Sequence, residues 1–287
     1  MKGRYKQMNI LKLRQQLEQF FNEDFGDGDV SAQIFQTNEA GEIEFIAKAK
    51  GIFCGESVIR TGFELLDANI ETTVYVKDGE KIEAGQIIAS AKGPVAVLLN
   101  GERVILNLIQ RMSGIATLTN KAVQTLDSDH TKICDTRKTT PGLRMLEKYA
   151  VRTGGGFNHR FGLYDAIMLK DNHIAFAGSI TKAVQVAKEK SGHMVKIEVE
   201  TETLAQVEEA SLAGADVIMF DNRTPSEIKQ WIHVVPEHIV TEASGGITLD
   251  NLASYKEAGV DYISLGFLTH SAKSLDISVK VKIKEHV

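Results

Sequence analysis

Residues 135–173, DTRKTTPGLRMLEKYAVRTGGGFNHRFGLYDAIMLKDNH, hold the side chains best suited to chemistry in this 287-residue chain. Seven Lys or Arg (Arg137, Lys138, Arg144, Lys148, Arg152, Arg160, Lys170) stand there against four acids, in a chain whose formal net charge is −5. They lie among Gly154, Gly155, Gly156 and Gly162, where no Cβ keeps a ligand off the backbone. Concentrated cations among glycine turns make a pocket for a small molecule carrying several carboxylates or phosphates. Thr136-Arg137-Lys138 follows one apolar run, Asn158-His159-Arg160 a triple glycine, and Lys170-Asp171-Asn172 another apolar run. The alternative is that these charges only solvate two loops.

These phrases need elements to hold them. From residue 131 the sequence repeats a strand, loop and helix unit, with strands expected at 131–135, 166–170, 195–200, 217–221, 238–243 and 261–266. Helical patterns follow at 142–151, 179–190, 202–213, 225–232 and 248–258, and such alternation means parallel strands in a barrel or an open α/β sheet. Gly214-Ala215-Asp216 and Gly259-Val260-Asp261 are nearly the same helix-exit phrase. Ligands of parallel α/β folds lie beyond the carboxyl ends of the strands, and every expected strand here ends in polar residues. Lys196, Glu198 and Glu200 share one face of their strand and Ile197 and Val199 the other, so the charged three should point inward. There they must pair with one another, with Lys170 or with a ligand. Ser244-Gly245-Gly246 and Gly266 place small residues after the last two strands, the usual barrel position for a phosphate.

Ahead of the repeat, residues 8–21 read as an amphipathic helix, 43–53 and 70–76 as strands, and 55–67 as a helix between them. Residues 98–125 form one long helical pattern, expected to break near Ser113-Gly114 and to join two domains, and it carries Arg103 beside Glu102. The division expected is 1–112, an N-terminal domain with the linking helix; 113–273, an α/β barrel catalytic domain; and 274–287, a strand returning to the first domain. EDFGDGDVS falls short of a calcium loop's spacing. A pI near 5.9 without a basic stripe argues against nucleic acid, and no apolar run reaches a membrane span. Cys54 and Cys134 are too few for a disulfide framework and fit a reducing cytoplasm, with Cys134 expected in the core.

In sequence order, EDFGDGDVS, GERVILNLIQRMSGIAT, the 135–173 stretch, IEVET, IMFDN, EASGGI and YISLGFLTHS resemble the quinolinate phosphoribosyltransferase family over most of the chain. The resemblance implies a small N-terminal α/β sandwich and an open-faced, TIM-like α/β barrel of the type II phosphoribosyltransferases, working as a homodimer. It implies transfer from 5-phosphoribosyl 1-diphosphate to quinolinate, giving nicotinate mononucleotide, carbon dioxide and pyrophosphate, with Mg²⁺ bound alongside the diphosphate. Carried over by position, it makes Thr136, Arg137, Lys138, His159, Arg160 and Lys170 the pocket for the quinolinate carboxylates. Arg103 would reach the neighbouring subunit's site, Glu200 and Asp221 would hold the ribose hydroxyls, and Ser244, Gly245, Gly246, Leu265, Gly266 and Phe267 the 5-phosphate. Lys138, Glu200 and Asp221 are the expected catalytic groups, and the choice of Glu200 over Glu198 rests on the resemblance. Rival readings are a phosphoribosyltransferase of the same build acting on another acid, such as the relatives linked to molybdenum transport operons, and a non-catalytic anion binder.

Overall fold

The computed structural model describes residues 8–35 and 39–282. The first seven residues and the end of the last expected strand, 283–287, lie outside them. In chain order come α1 (Ile10–Phe25), β1 (Ala40–Ala47), β2 (Gly51–Ile52), α2 (Glu56–Leu66), β3 (Glu71–Val74), β4 (Lys81–Ile82), β5 (Ile87–Pro94) and α3 (Val95–Leu126). Then follow β6 (Lys132–Cys134), α4 (Arg144–Thr153), β7 (Ile167–Leu169), α5 (Asp171–Ala177), α6 (Ile180–Lys190), β8 (Ile197–Thr201), α7 (Leu204–Ala213) and β9 (Val217–Asp221). The chain ends with α8 (Pro225–Trp231), β10 (Val240–Ser244), β11 (Tyr262–Ser264), α9 (Phe267–His270) and β12 (Ile277–Lys282). None of these helices is long and apolar enough to cross a membrane.

Two compact units result: Met1–Leu118 with Met145–Gly155 and Ala272–Val287, and Thr119–Arg144 with Gly156–Ser271. The first is built on an antiparallel sheet in the order β12-β1-β5-β3. Ile43, Phe45 and Ala47 alternate inward along β1, and Phe45 meets Phe63 of α2 edge to face, with ring centroids 6.2 Å apart. Leu13, Leu17 and Phe21 recur at helical spacing on the buried face of α1, each contributing roughly 2 kcal/mol by leaving water. The long helix α3 runs unbroken through Ser113 and Gly114, where the sequence reading expected an interruption. Both residues serve close packing: the Ser113 hydroxyl accepts from the Cys54 N–H at 3.0 Å, and a Cβ on Gly114 would come within 2.0 Å of the Lys273 carbonyl. Residues 145–155, which the sequence reading put in the barrel, group with this first unit; there Arg111 of α3 grips the buried Glu147 of α4 at 2.8 Å.

The second unit carries six parallel strands in the order β6-β11-β10-β9-β8-β7. That is the neighbour order of a barrel in which the first and second strands do not pair, so the wall is open there. The two repeated helix-exit phrases act alike. Gly214 and Gly259 end their helices in the left-handed conformation, and the Asp two residues on ties down a neighbouring strand. Asp216 accepts the N–H of Ile197, and Asp261 accepts the N–H and hydroxyl of Thr241, all at 2.8 Å. Residues 252–258, expected as an α-helix, wind as a tighter 3₁₀ helix, and α5 is a helix the sequence reading did not anticipate.

Candidate active site

The strand ends of the second unit surround a cleft of about 550 Å³ lined by Thr136, Arg137, Lys138, His159, Arg160, Met168, Lys170, Glu200, Met219, Asp221, Asn222, Ser244, Gly245, Gly246 and Ser264. Eleven of these are residues that the sequence and its resemblance pointed to, drawn from five strand ends and the 157–160 loop. Asp135, wholly buried, positions that loop: its carboxylate accepts the His159 N–H at 2.9 Å and the Asn158 amide at 2.5 Å. It carries Arg160 into the wall, where the guanidinium donates to the Ala166 carbonyl at 2.7 Å. Burial first, and Arg137 next to it, lowers the Arg160 proton affinity. Glu198, Glu200 and Asp165 oppose that shift, and an anion bound between the two guanidiniums would oppose it further. The Nε of Arg137 is buried and has no hydrogen-bond partner among the described residues. An unpaired buried donor beside a second arginine fits a carboxylate held in the guanidinium fork.

Opposite stand carboxylates. Lys170, at the end of β7, forms an ion pair with Glu200 of β8. Burial raises the Glu200 carboxyl above its ordinary value; Lys170 opposes that, and the charges of Asp221 and Glu198 add to it. Asn222 follows Asp221 with φ +54° and donates its N–H to the Ser244 carbonyl. Gly245 (φ +80°) and Gly246 (φ +63°) turn sharply after β10, and a Cβ on Gly245 would lie 2.3 Å from the Asn222 side-chain oxygen. Consecutive left-handed residues turn their N–H groups to one side, a shape suited to a phosphate.

Several expected residues sit elsewhere. Leu265 is buried and Gly266 and Phe267 do not line the cleft, although a Cβ on Gly266 would come within 3.0 Å of the Lys138 side chain. Arg103 belongs to the first unit, is largely exposed, and has Glu102 at 3.7 Å as its ion-pair partner. Lys196 does not point inward with the two acids of β8: it pairs with Asp216 at the strand's start, 2.9 Å away. His159 lines the cleft with both ring nitrogens engaged. Its Nδ1 accepts the Arg160 N–H at 2.8 Å, and its Nε2 lies 3.0 Å from Glu198. It stands in the cleft wall beside Arg160, among the residues expected to receive the carboxylates. Met168 and Met219 were missed, although strand alternation with helix-facing Ile167, Leu169, Ile218 and Phe220 already turns them inward. Their thioethers give the cleft an apolar surface among its charges.

The comparisons agree with this geometry. The family described as quinolinate phosphoribosyl transferase, C-terminal domain, matches residues 115–280, and its N-terminal domain matches residues 29–113. A Bacillus subtilis protein, probable nicotinate-nucleotide pyrophosphorylase [carboxylating], is 58% identical over 276 residues, covering 96% of each chain. A mitochondrial quinolinate phosphoribosyltransferase [decarboxylating] of Nicotiana tabacum is 39% identical, over 91% of this chain and 79% of its own. The crystal structure of NadC from Streptococcus pyogenes superposes with a TM-score of 0.93 at 41% identity, covering 96% of this chain and 98% of that one. The chain therefore belongs to the quinolinate phosphoribosyltransferase family.

Proposed function

We propose that this enzyme transfers the phosphoribosyl group of 5-phosphoribosyl 1-diphosphate to quinolinate, releasing pyrophosphate and carbon dioxide and leaving nicotinate mononucleotide. The observation that carries this reading is the division of one cleft into two charge zones. Arg137 and Arg160, with Lys138 and Lys170 beside them, can take two carboxylates, while Glu200 and Asp221 face a ribose and the 244–246 turn its phosphate. A pocket that only bound anions would gain nothing from the acids.

Breaking the bond between ribose C1 and the diphosphate oxygen leaves positive charge on the sugar and negative charge on the departing group. Glu200 and Asp221 stabilise the first and Lys138 the second. The quinolinate nitrogen then bonds to C1 and becomes cationic. The bond from C2 to its carboxylate can now break, the electron pair staying at C2 beside the positive nitrogen until a proton replaces the carbon dioxide. Until that bond breaks, the arginines hold both carboxylates and so keep the ring nitrogen facing C1. Mg²⁺ takes oxygen ligands, typically one or two carboxylates together with substrate phosphates, and Asp221 beside the ribose zone is a donor of that kind. When bound, the ion would neutralise charge on the diphosphate.

We also propose a homodimer in which Arg103 serves the neighbouring subunit's cleft, supported by its exposure and by the length of its ion pair to Glu102, 3.7 Å. A cytoplasmic location is consistent with two buried thiols, Cys54 and Cys134. The test of the reaction is the joint release of pyrophosphate and carbon dioxide with quinolinate, and its absence would refute the reading.

A further inference from the structure

Beneath the cleft lie two carboxyls that the reaction as drawn does not use, Glu198 of β8 and Glu242 of β10, both about 4% exposed. They share one neighbour: the His159 Nε2 is 3.0 Å from Glu198 and 3.6 Å from Glu242, and the three donor atoms all lie within 4.8 Å of one another. One His and two acids this close have the composition of a metal site. The tautomer argues otherwise. Because Nδ1 accepts the Arg160 N–H, the ring proton belongs on Nε2, the nitrogen that faces both carboxyls. A protonated nitrogen cannot ligate a metal, so hydrogen bonds hold this cluster together.

One N–H cannot satisfy two buried carboxylates. Glu198 is the nearer acceptor, and the Oε1 of Glu242 is buried with no hydrogen-bond partner among the described residues. An ionised Glu242 would be a poorly compensated buried charge. The groups facing it from its surroundings are Glu198, His159, the Ser264 hydroxyl, Asp135 after β6, and Tyr262 on the paired strand. Burial, and after it the charge of Glu198, pushes its carboxyl up to about 7, with His159 and Ser264 opposing.

We propose that Glu242 is a positioning residue for the acid-binding wall. Protonated, it leaves Glu198 as the single anion on the His159 ring, and the ring supports the backbone N–H of Arg160 beside Arg137. Ionised, it sets a second negative charge under the cleft, competes for the Nε2 proton and weakens capture of a dicarboxylate. The proposal rests on the dicarboxylate reading of the cleft.

The test uses phthalate, a benzene dicarboxylate with no ring nitrogen and so no turnover. Its binding to the full chain and to Glu242→Gln, the neutral isostere of the protonated acid, would be followed by calorimetry. For the unsubstituted protein, Kd should rise roughly tenfold between about pH 6 and about pH 8.5, and for the Gln variant by less than about twofold. Every other group is common to both proteins, so the difference between them is the readout. Parallel curves, or no rise in either, overturn the proposal. Should the Gln variant not fold, infrared spectra of the unsubstituted protein with isotope-labelled glutamate give the answer: a buried carboxylic acid band near pH 6, gone by about pH 8.5, supports it, and no such band near pH 6 overturns it. Phthalate separates this role from the reaction. A pH difference without pyrophosphate release from quinolinate would count against the reaction alone, and turnover with parallel binding curves against the role alone.

Discussion

Arg137 combines an Nε that is buried without a hydrogen-bond partner among the described residues with a guanidinium neighbour in Arg160, an arrangement that a bound anion would favour. Lysine keeps the charge and loses the fork, so Arg137→Lys should lower kcat/KM for quinolinate by roughly tenfold or more. Near-normal kinetics would remove Arg137 from that role. Glu242 makes a second prediction, in stability. Its carboxyl sits at about 7 in the fold against 4.5 ordinarily, so the folded state favours the protonated form. That contribution is complete below about pH 4.5 and is lost as pH rises through about 7. Urea midpoints should fall across this window in the unsubstituted protein and change less in Glu242→Gln; equal slopes would show that Glu242 does not carry the effect.

At the scale of elements, the strands do the placing. The six parallel strands were legible because short apolar runs alternate with helical ones, and the polar residues at their ends marked where the cleft lies. Less legible was what packs against backbone. Ser113-Gly114 reads as a helix break in one dimension, and only the fold reveals the Lys273 carbonyl pressed against Gly114. Gly114→Ala should therefore cost about 2–4 kcal/mol, measured by chemical denaturation; a loss within about 0.5 kcal/mol would mean the helix shifts freely there. The turn after β10 was legible as a Gly pair, but its partner Asn222 was not, since nothing local in the sequence announces the contact. Gly245→Ala forces that side chain aside and strains a φ of +80°. It should raise KM for 5-phosphoribosyl 1-diphosphate by roughly tenfold or more while changing KM for quinolinate much less. Equal effects on both would assign the turn a general structural part. The same limit hid a contact of His159: only the fold shows that its Nδ1 accepts the next residue's N–H.

At the scale of the whole molecule, the proposed homodimer makes Arg103 and Lys170 parts of one site drawn from two chains. Mixing Arg103→Ala and Lys170→Ala subunits, each inactive alone, should restore about a quarter of full activity, since about half the dimers then carry one intact site of two. No recovery would leave Arg103 outside the site. The central claim, that the cationic wall selects a dicarboxylate for a carboxyl-losing transfer, is tested most directly by product release. The protein would be given 5-phosphoribosyl 1-diphosphate and Mg²⁺, with quinolinate in one reaction and nicotinate in another. The account predicts equal amounts of pyrophosphate and carbon dioxide with quinolinate and neither with nicotinate; pyrophosphate released with nicotinate, or no product from either acid, would contradict it.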